Sequence, residues 1–342
     1  MGRHRSQKPT SFDIAHLAGV SQPTVSRALR GDRAISQTTR ERIQRIAHDL
    51  HYTVDKHASA LRSQRSNTIA LLFFEDPTPD ESMINPFFLA MLGSITRACA
   101  NRGLDLLISF QRLEDDWHVN YQDSNKADGI ILLGYGDYTV YAPRHAQLVE
   151  QGTHFVRWGS VSDDTSGATV GSDNVGAGRM AGAHLIERGR RRIAFLGHGD
   201  GHYPEFAERY QGLCAIMREH GLEVDPALQR NAITTEQAGY DAMCELLREG
   251  HGFDAVFAAS DLIAVGAMRA LAEAGRAVPQ DVAIIGFDDI PAAGQCSPPL
   301  TTIMQDLSAA GERLLEAMVA KIEGRALPAP LLPTRLIVRA ST

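Results

Sequence analysis

No run in the 342 residues stays apolar long enough to cross a membrane; the best candidate, residues 255–272, is broken by Asp261 and Arg269. The opening Met-Gly-Arg-His-Arg-Ser-Gln-Lys is basic but leads into no apolar stretch, so it does not read as a secretory signal, and a cytoplasmic protein is expected. Cysteine is scarce: Cys99, Cys214, Cys244 and Cys296 lie far apart with no C-x-x-C spacing, which points to reduced thiols rather than a disulfide frame or a zinc site. The sequence has no G-x-S-x-G elbow, Walker loop or H-E-x-x-H. Gly176-Ala-Gly178 and Gly134-Tyr-Gly136 are lone fragments of a dinucleotide fingerprint and sit wrongly for one. Gly197-His-Gly-Asp-Gly-His202 brings two imidazoles and a carboxylate within six residues, yet a glycine-rich rim loop is the better reading than a metal site. No catalytic residue, cofactor or metal is expected.

What the chain does have is an uneven charge. Residues 1–66 hold 12 Lys/Arg against 5 Asp/Glu, a net +7, while the whole carries −7 and the remainder therefore −14. A small basic head on a large acidic body suits a polyanion-binding module joined to a part that stays off the polyanion.

The head has the grammar of three short helices. Thr10 stands three residues before Asp13, the spacing of a helix cap, and Ile14, Ala15, Leu17 and Ala18 follow as an apolar stripe. Gly19 falls where a sharp reversal requires positive φ; Ser21 and Pro23 suit the start of a second helix. Val25, Ala28 and Leu29 face inward on that helix, which leaves Gln22, Pro23, Ser26 and Arg27 on its outer N-terminal face. A third helix opens at Ser36 with Ile43, Ile46, Ala47 and Leu50 on one side. This build lays a helix end into the DNA major groove.

The string Ile14-Ala-His-Leu-Ala-Gly-Val-Ser-Gln-Pro-Thr-Val-Ser-Arg-Ala-Leu29, followed by Ile35-Ser-Gln-Thr-Thr-Arg-Glu-Arg42, resembles the headpiece of the lactose-repressor family of bacterial regulators. The resemblance implies that Gln22, Pro23 and Arg27 read bases. Arg27 can fork onto guanine O6 and N7, Gln22 can donate and accept at a base edge, and Pro23 offers apolar contact. Thr10, Ser21, Thr24 and Ser36 are placed to bond phosphates, which positions the head without specifying sequence. Residues 55–63, Asp-Lys-His-Ala-Ser-Ala-Leu-Arg-Ser, resemble the family's hinge helix, with Ala58 and Leu61 on the face that enters the minor groove; Val54 and Asp55 depart from the family's usual Pro and Asn.

From Thr68 onward one pattern repeats: a helix, a terminating glycine (Gly103, Gly152, Gly189, Gly275), then a short apolar strand. Continuous apolar strands alternating with helices predict parallel sheets covered on both faces, and about 275 residues of this exceed one usual core. The expected fold is α/β: a helix-turn-helix headpiece over residues 1–54, a hinge over 55–66, and a two-lobed body over 67–342. The lobes are drawn at about 67–167 with 304–326, and about 168–303 with 327–342. Asn85-Pro-Phe-Phe88, Asp173-Asn174, Ser260-Asp-Leu-Ile-Ala264 and Gly286-Phe-Asp-Asp289 extend the resemblance, which implies a periplasmic-binding-protein type body holding a small molecule between lobes.

By position, Phe87, Phe88, Trp158, Glu205, Arg209, Ser260, Asp261 and Asp288 match or adjoin effector-contacting positions of the family. Arginine and carboxylates bind vicinal hydroxyls in pairs, and an aromatic plane stacks on a sugar's C–H face. The segment 111–126 is short for the family, so that side of the cleft is expected to be rebuilt around Trp117. Thr234, where relatives place an aromatic, favours a sugar inducer over a purine corepressor. The reading is a homodimeric, sugar-released repressor on a pseudo-palindromic operator, with no membrane partner. A sugar-binding transport component and a Rossmann-type enzyme are the competing classes; the first would need an export signal and the second a nucleotide fingerprint.

Overall fold

The computed structural model describes residues 9–29, 31–52, 65–74, 84–162 and 169–342. The chain divides into two compact units, residues 1–66 and 67–342.

The small unit holds α1 (Ser11–Ala18), α2 (Gln22–Leu29) and α3 (Gln37–Asp49). Thr10 and Asp13 form a reciprocal capping box on α1, and Gly19 ends it in the left-handed region at φ 62°. Ile14, Ala18, Val25, Ala28, Ile43 and Ala47 close the core. Leu17 departs from the expected stripe and stands 59% exposed. Ile14, Ala15 and Ala18 already fill the inward arc of this two-turn helix, and Leu17 lies roughly 100° from its centre.

The large unit contains two six-stranded sheets among the described residues. The first is built from β1 (Thr68–Phe73), β2 (Asp105–Phe110), β3 (Gly129–Leu133), β4 (Phe155–Trp158), β5 (Thr169–Ser172) and β11 (Leu331–Leu332), in the order β11-β5-β4-β3-β1-β2. The second holds β6 (Ile193–Leu196), β7 (Gln229–Arg230), β8 (Ala255–Ala258), β9 (Ala283–Asp288), β10 (Thr301–Gln305) and β12 (Thr334–Ile337), in the order β12-β10-β9-β8-β6-β7. Every pairing is parallel except β10 with β12. The interior strands β3 and β8 are buried throughout, as continuous apolar runs require when both sheet faces are covered.

In the first lobe α4 (Pro86–Asn101) and α5 (Tyr138–Glu150) follow β1 and β3; in the second, α6 (Asn174–Glu187), α7 (Pro204–Glu219), α8 (Glu236–Glu249) and α9 (Asp261–Glu273) cover the sheet. A short α10 (Pro291–Gln295) precedes β10, and α11 (Leu307–Ile322) returns to pack on α4. The chain passes between lobes after β5, after β10, and between β11 and β12, where Pro333 alone separates a strand of the first sheet from a strand of the second. The drawn lobe boundaries therefore shift: 169–172 and 331–332 belong to the first sheet. Thr-Val-Gly-Ser and a two-residue strand are too short to carry a recognisable strand pattern.

Candidate functional site

In the head, Pro23 and Arg27 are exposed on α2 while Gln22, Thr24 and Ser26 are half-buried beside them. Val25 and Ala28, on the opposite side, hold the helix to the core. The hydroxyls expected at phosphates gather at helix starts. Thr10 caps α1, Ser36 caps α3 by accepting from the Thr39 amide at 3.3 Å, and Ser21 and Thr24 share a hydrogen bond of 2.9 Å at the start of α2. Unpaired amides at such ends favour anions. The Gln22 carboxamide donates to Ser11 Oγ at 3.1 Å, which fixes its direction. Ala58 and Leu61, and the hinge helix assigned to them, lie outside the described residues.

In the body, the carboxyl ends of the first sheet open onto a cleft. Phe74, Gln111, Gly134 and Gly136 line it from the ends of β1, β2 and β3; Arg157 and Trp158 come from β4, Tyr138 and His145 from α5, and Pro204 with Glu205 from the second lobe. Ligands of parallel sheets bind at this end. Glu205 accepts from the Ser160 amide at 3.0 Å, an approach that Gly159 permits, since a Cβ there would stand 2.7 Å from Glu205 Oε1. Burial raises the Glu205 carboxyl above its usual range against the pull of Arg157. Trp117 has no place in this wall. It is buried in the core behind the first sheet with its indole N–H on the Arg112 carbonyl at 2.9 Å, and Gln111 lines the cleft instead.

Beside the cleft the lobes meet around Tyr135, which the sequence reading passed over. Its ring lies parallel to Phe87 at 6.1 Å and edge-on to Phe88 and Phe206 at 4.8 and 5.6 Å. Its hydroxyl accepts from the Arg209 guanidinium at 3.0 Å and the Gln305 amide at 3.1 Å. Arg209 is almost wholly buried, donates also to Asn174 Oδ1 at 2.9 Å and to the Ala259 carbonyl, and lies 3.5 Å above the Phe287 ring. Gln305 also donates to Asp288 Oδ1 at 2.7 Å and accepts from Ser172 Oγ at 2.6 Å. Burial pushes Tyr135 up to about 12 and Asp288 up to about 7, in both cases against the Arg209 charge. Asp288 holds φ at 113°, outside the regions L-residues favour, so the packing around it sets its direction.

The expected effector residues thus fall into three groups. Trp158 and Glu205 line the cleft; Phe87, Phe88, Arg209 and Asp288 join the Tyr135 cluster; Ser260 and Asp261 are held in the second lobe's frame. Ser260 caps α9, and the Asp261 carboxylate accepts from Thr302 Oγ1 at 2.6 Å and the Ile290 amide at 2.9 Å, its pKa raised by burial and by Asp288. Sequence reasoning missed Tyr135, Gln305, Asn174 and Arg157. For Tyr135 the signal was its place directly after an apolar strand, within the glycine pair dismissed as a stray motif.

A helix-turn-helix unit joined to a two-lobed, ligand-enclosing α/β body defines a ligand-responsive DNA-binding transcriptional regulator. Residues 12–55 match the bacterial regulatory proteins of the lacI family, and residues 183–342 match a periplasmic binding protein-like domain. The chain is 34% identical to the HTH-type transcriptional regulator CelR of Thermobifida fusca over 98% of its own length and 99% of that protein's, and 31% identical to the HTH-type transcriptional repressor CytR of Escherichia coli (strain K12) over 97% and 96%. A solved CelR–cellobiose complex superposes with a TM-score of 0.72 at 33% identity, covering 98% of this chain and 100% of that one. A lac repressor dimer bound to operator and an anti-inducer reaches 0.80 at 22% identity over 98% and 99%, a likeness of fold. The chain belongs to the lacI family of bacterial regulatory proteins. Among the described residues no helix is long and apolar enough to cross a membrane.

Proposed function

We propose that two copies of this chain repress transcription from a pseudo-palindromic operator and are released by a sugar held in the interlobe cleft. The observation that carries the ligand is the composition of the cleft: the Trp158 plane beside Arg157 and Glu205 supplies a stacking face with a charged donor and a carboxyl for ring hydroxyls. The cellobiose in the CelR structure supports the same ligand class. A purine reading finds less support, because Phe87 and Phe88 meet edge to face at 5.0 Å and 72° and enclose no flat slot between them. In the head, Gln22, Pro23 and Arg27 read bases while Thr10, Ser21, Thr24 and Ser36 bond phosphates; residues 55–66 with Ala58 and Leu61 form the minor-groove hinge.

Calorimetry with cellobiose and a panel of mono- and disaccharides tests the cleft. Trp158→Ala and Glu205→Gln should each weaken the sugar that binds by about tenfold or more, and variants binding as tightly as the parent place the ligand elsewhere. On DNA, Arg27→Ala should lose about 1–3 kcal/mol of discrimination per half-site. Equal weakening on operator and random DNA would reduce Arg27 to a backbone contact.

A further inference from the structure

The glycine-rich segment 197–202 finds a partner in the other lobe. It leaves the carboxyl end of β6, its base tied by Gln229 Nε2 donating to the Gly197 carbonyl at 2.7 Å. Its far end reaches α5 of the first lobe, where the Tyr138 amide donates to the His202 carbonyl at 2.8 Å and His202 Nδ1 lies 2.9 Å from Asp137 Oδ2. Asp137 is the N-cap of α5 and also accepts from the Thr139 amide at 2.9 Å, so its carboxylate is fixed before His202 arrives. Among the described residues no group of three or more His, Cys, Asp or Glu is arranged to hold a metal ion. The imidazole faces a carboxylate across the mouth of the cleft, whose lining includes the flanking residues Gly136, Tyr138, Pro204 and Glu205.

We propose that His202 and Asp137 form a proton-sensitive clasp that holds the two lobes together at the mouth of the cleft. An imidazolium donates to the carboxylate and neutralises it, whereas a neutral ring keeps at most the hydrogen bond. Among the described residues, the groups acting on His202 are Asp137 from the first lobe, and Asp200 and His198 from its own loop. Asp200 accepts from the His202 amide at 3.1 Å, and the His198 ring centroid is 6.3 Å from that of His202. The Asp137 bond raises the His202 pKa above its usual value, with its charge and that of Asp200 acting in the same direction. Burial pushes Asp137 up, but the bonds from Thr139 and His202 outweigh it and the net direction is down. The clasp is therefore closed while His202 is protonated and Asp137 ionised. It loosens as pH rises through the elevated pKa of His202. Because half the His202 side chain faces solvent, screening keeps the effect modest. If the cleft is the effector site proposed above, effector entry and release follow the same pH dependence; the clasp itself does not rest on that reading.

The test uses the full chain without any sugar. Trp158 lines the cleft, so in a Trp117→Phe background its quenching by acrylamide reports opening. Between pH 6 and pH 8.5 the quenching constant should rise about two- to fivefold. In His202→Gln and in Asp137→Asn, which keeps the helix cap, it should be high at both pH values, and the double variant should add nothing. The buried Asp288 also titrates near 7 but is common to all these chains, so the difference from the parent isolates the clasp. Should Trp117→Phe fold poorly, hydrogen exchange at the Tyr138 amide of the unaltered chain, corrected for intrinsic rates, supplies the readout: protection should be stronger at pH 6. Opening that ignores pH, or that follows pH equally in His202→Gln, overturns the proposal.

Discussion

At the scale of single residues, the chemistry between the lobes is arranged around one phenol. Tyr135 accepts two hydrogen bonds from donors that are themselves buried, so Tyr135→Phe leaves Arg209 Nη2 and the Gln305 amide short of an acceptor. A buried donor left unsatisfied costs about 1–3 kcal/mol, and urea unfolding should show a loss of that order with the ring packing on Phe87 and Phe88 retained. A loss near zero would mean that water replaces the hydroxyl. Asp288 adds a pH dependence. Its carboxyl is raised from 3.8 to about 7, so the folded state holds its proton more tightly than the unfolded state. That contribution to stability is full below pH 3.8 and is lost as pH rises through about 7. Asp288→Asn keeps an acceptor for Gln305 but has no proton to lose. Its stability should fall less between pH 5 and pH 8 than the parent's, while equal slopes in denaturant titrations would assign the titration to another group.

At the scale of elements, the second lobe is held by helices that touch backbone to backbone. A Cβ at Gly178 of α6 would lie against the carbonyl of Arg209 on α7, and one at Gly212 of α7 against the carbonyl of Val175 on α6. Gly239 of α8 and Gly266 of α9 stand in the same relation to the Ile263 and Glu236 carbonyls. Backbone cannot yield as a flexible side chain does, so Gly178→Ala must push α7 outward and carry Arg209 with it. Overpacking of this kind costs about 1–3 kcal/mol. Thermal unfolding should show that loss together with weaker sugar binding, whereas Gly201→Ala, which meets no atom within 4 Å, should leave stability unchanged. If both substitutions are neutral, the two helices are less closely seated than their backbones indicate. These close approaches were invisible in the sequence, because Gly178 and Gly212 sit in helical segments where glycine merely lowers propensity.

At the scale of the whole molecule, release of DNA by a ligand requires two arrangements of the body that bind the ligand unequally. The coupling is reciprocal: saturating operator must weaken sugar binding by the same factor by which saturating sugar weakens operator binding. Titrating sugar with and without saturating operator measures the first factor, and titrating operator with and without saturating sugar the second; unequal values would show that the two titrations report different equilibria. By itself the sequence determined the helix-turn-helix head, through caps and apolar spacing that act over three or four residues, and the alternation of strand and helix, through glycines that end helices at positive φ. It also determined the basic head and acidic body, since charge adds along a chain whatever its fold. Lobe membership was decided only by tertiary structure, because strands as short as 169–172 and 331–332 have no pattern of their own and acquire identity by pairing. The same holds for the functional residues. Tyr135, Gln305 and Arg209 are 74 or more positions apart in sequence, and only the stacking of one lobe on the other makes them neighbours. His202 meets Asp137 across 65 residues for the same reason: a hydrogen bond depends on where two backbones are carried in space, which local propensity does not encode.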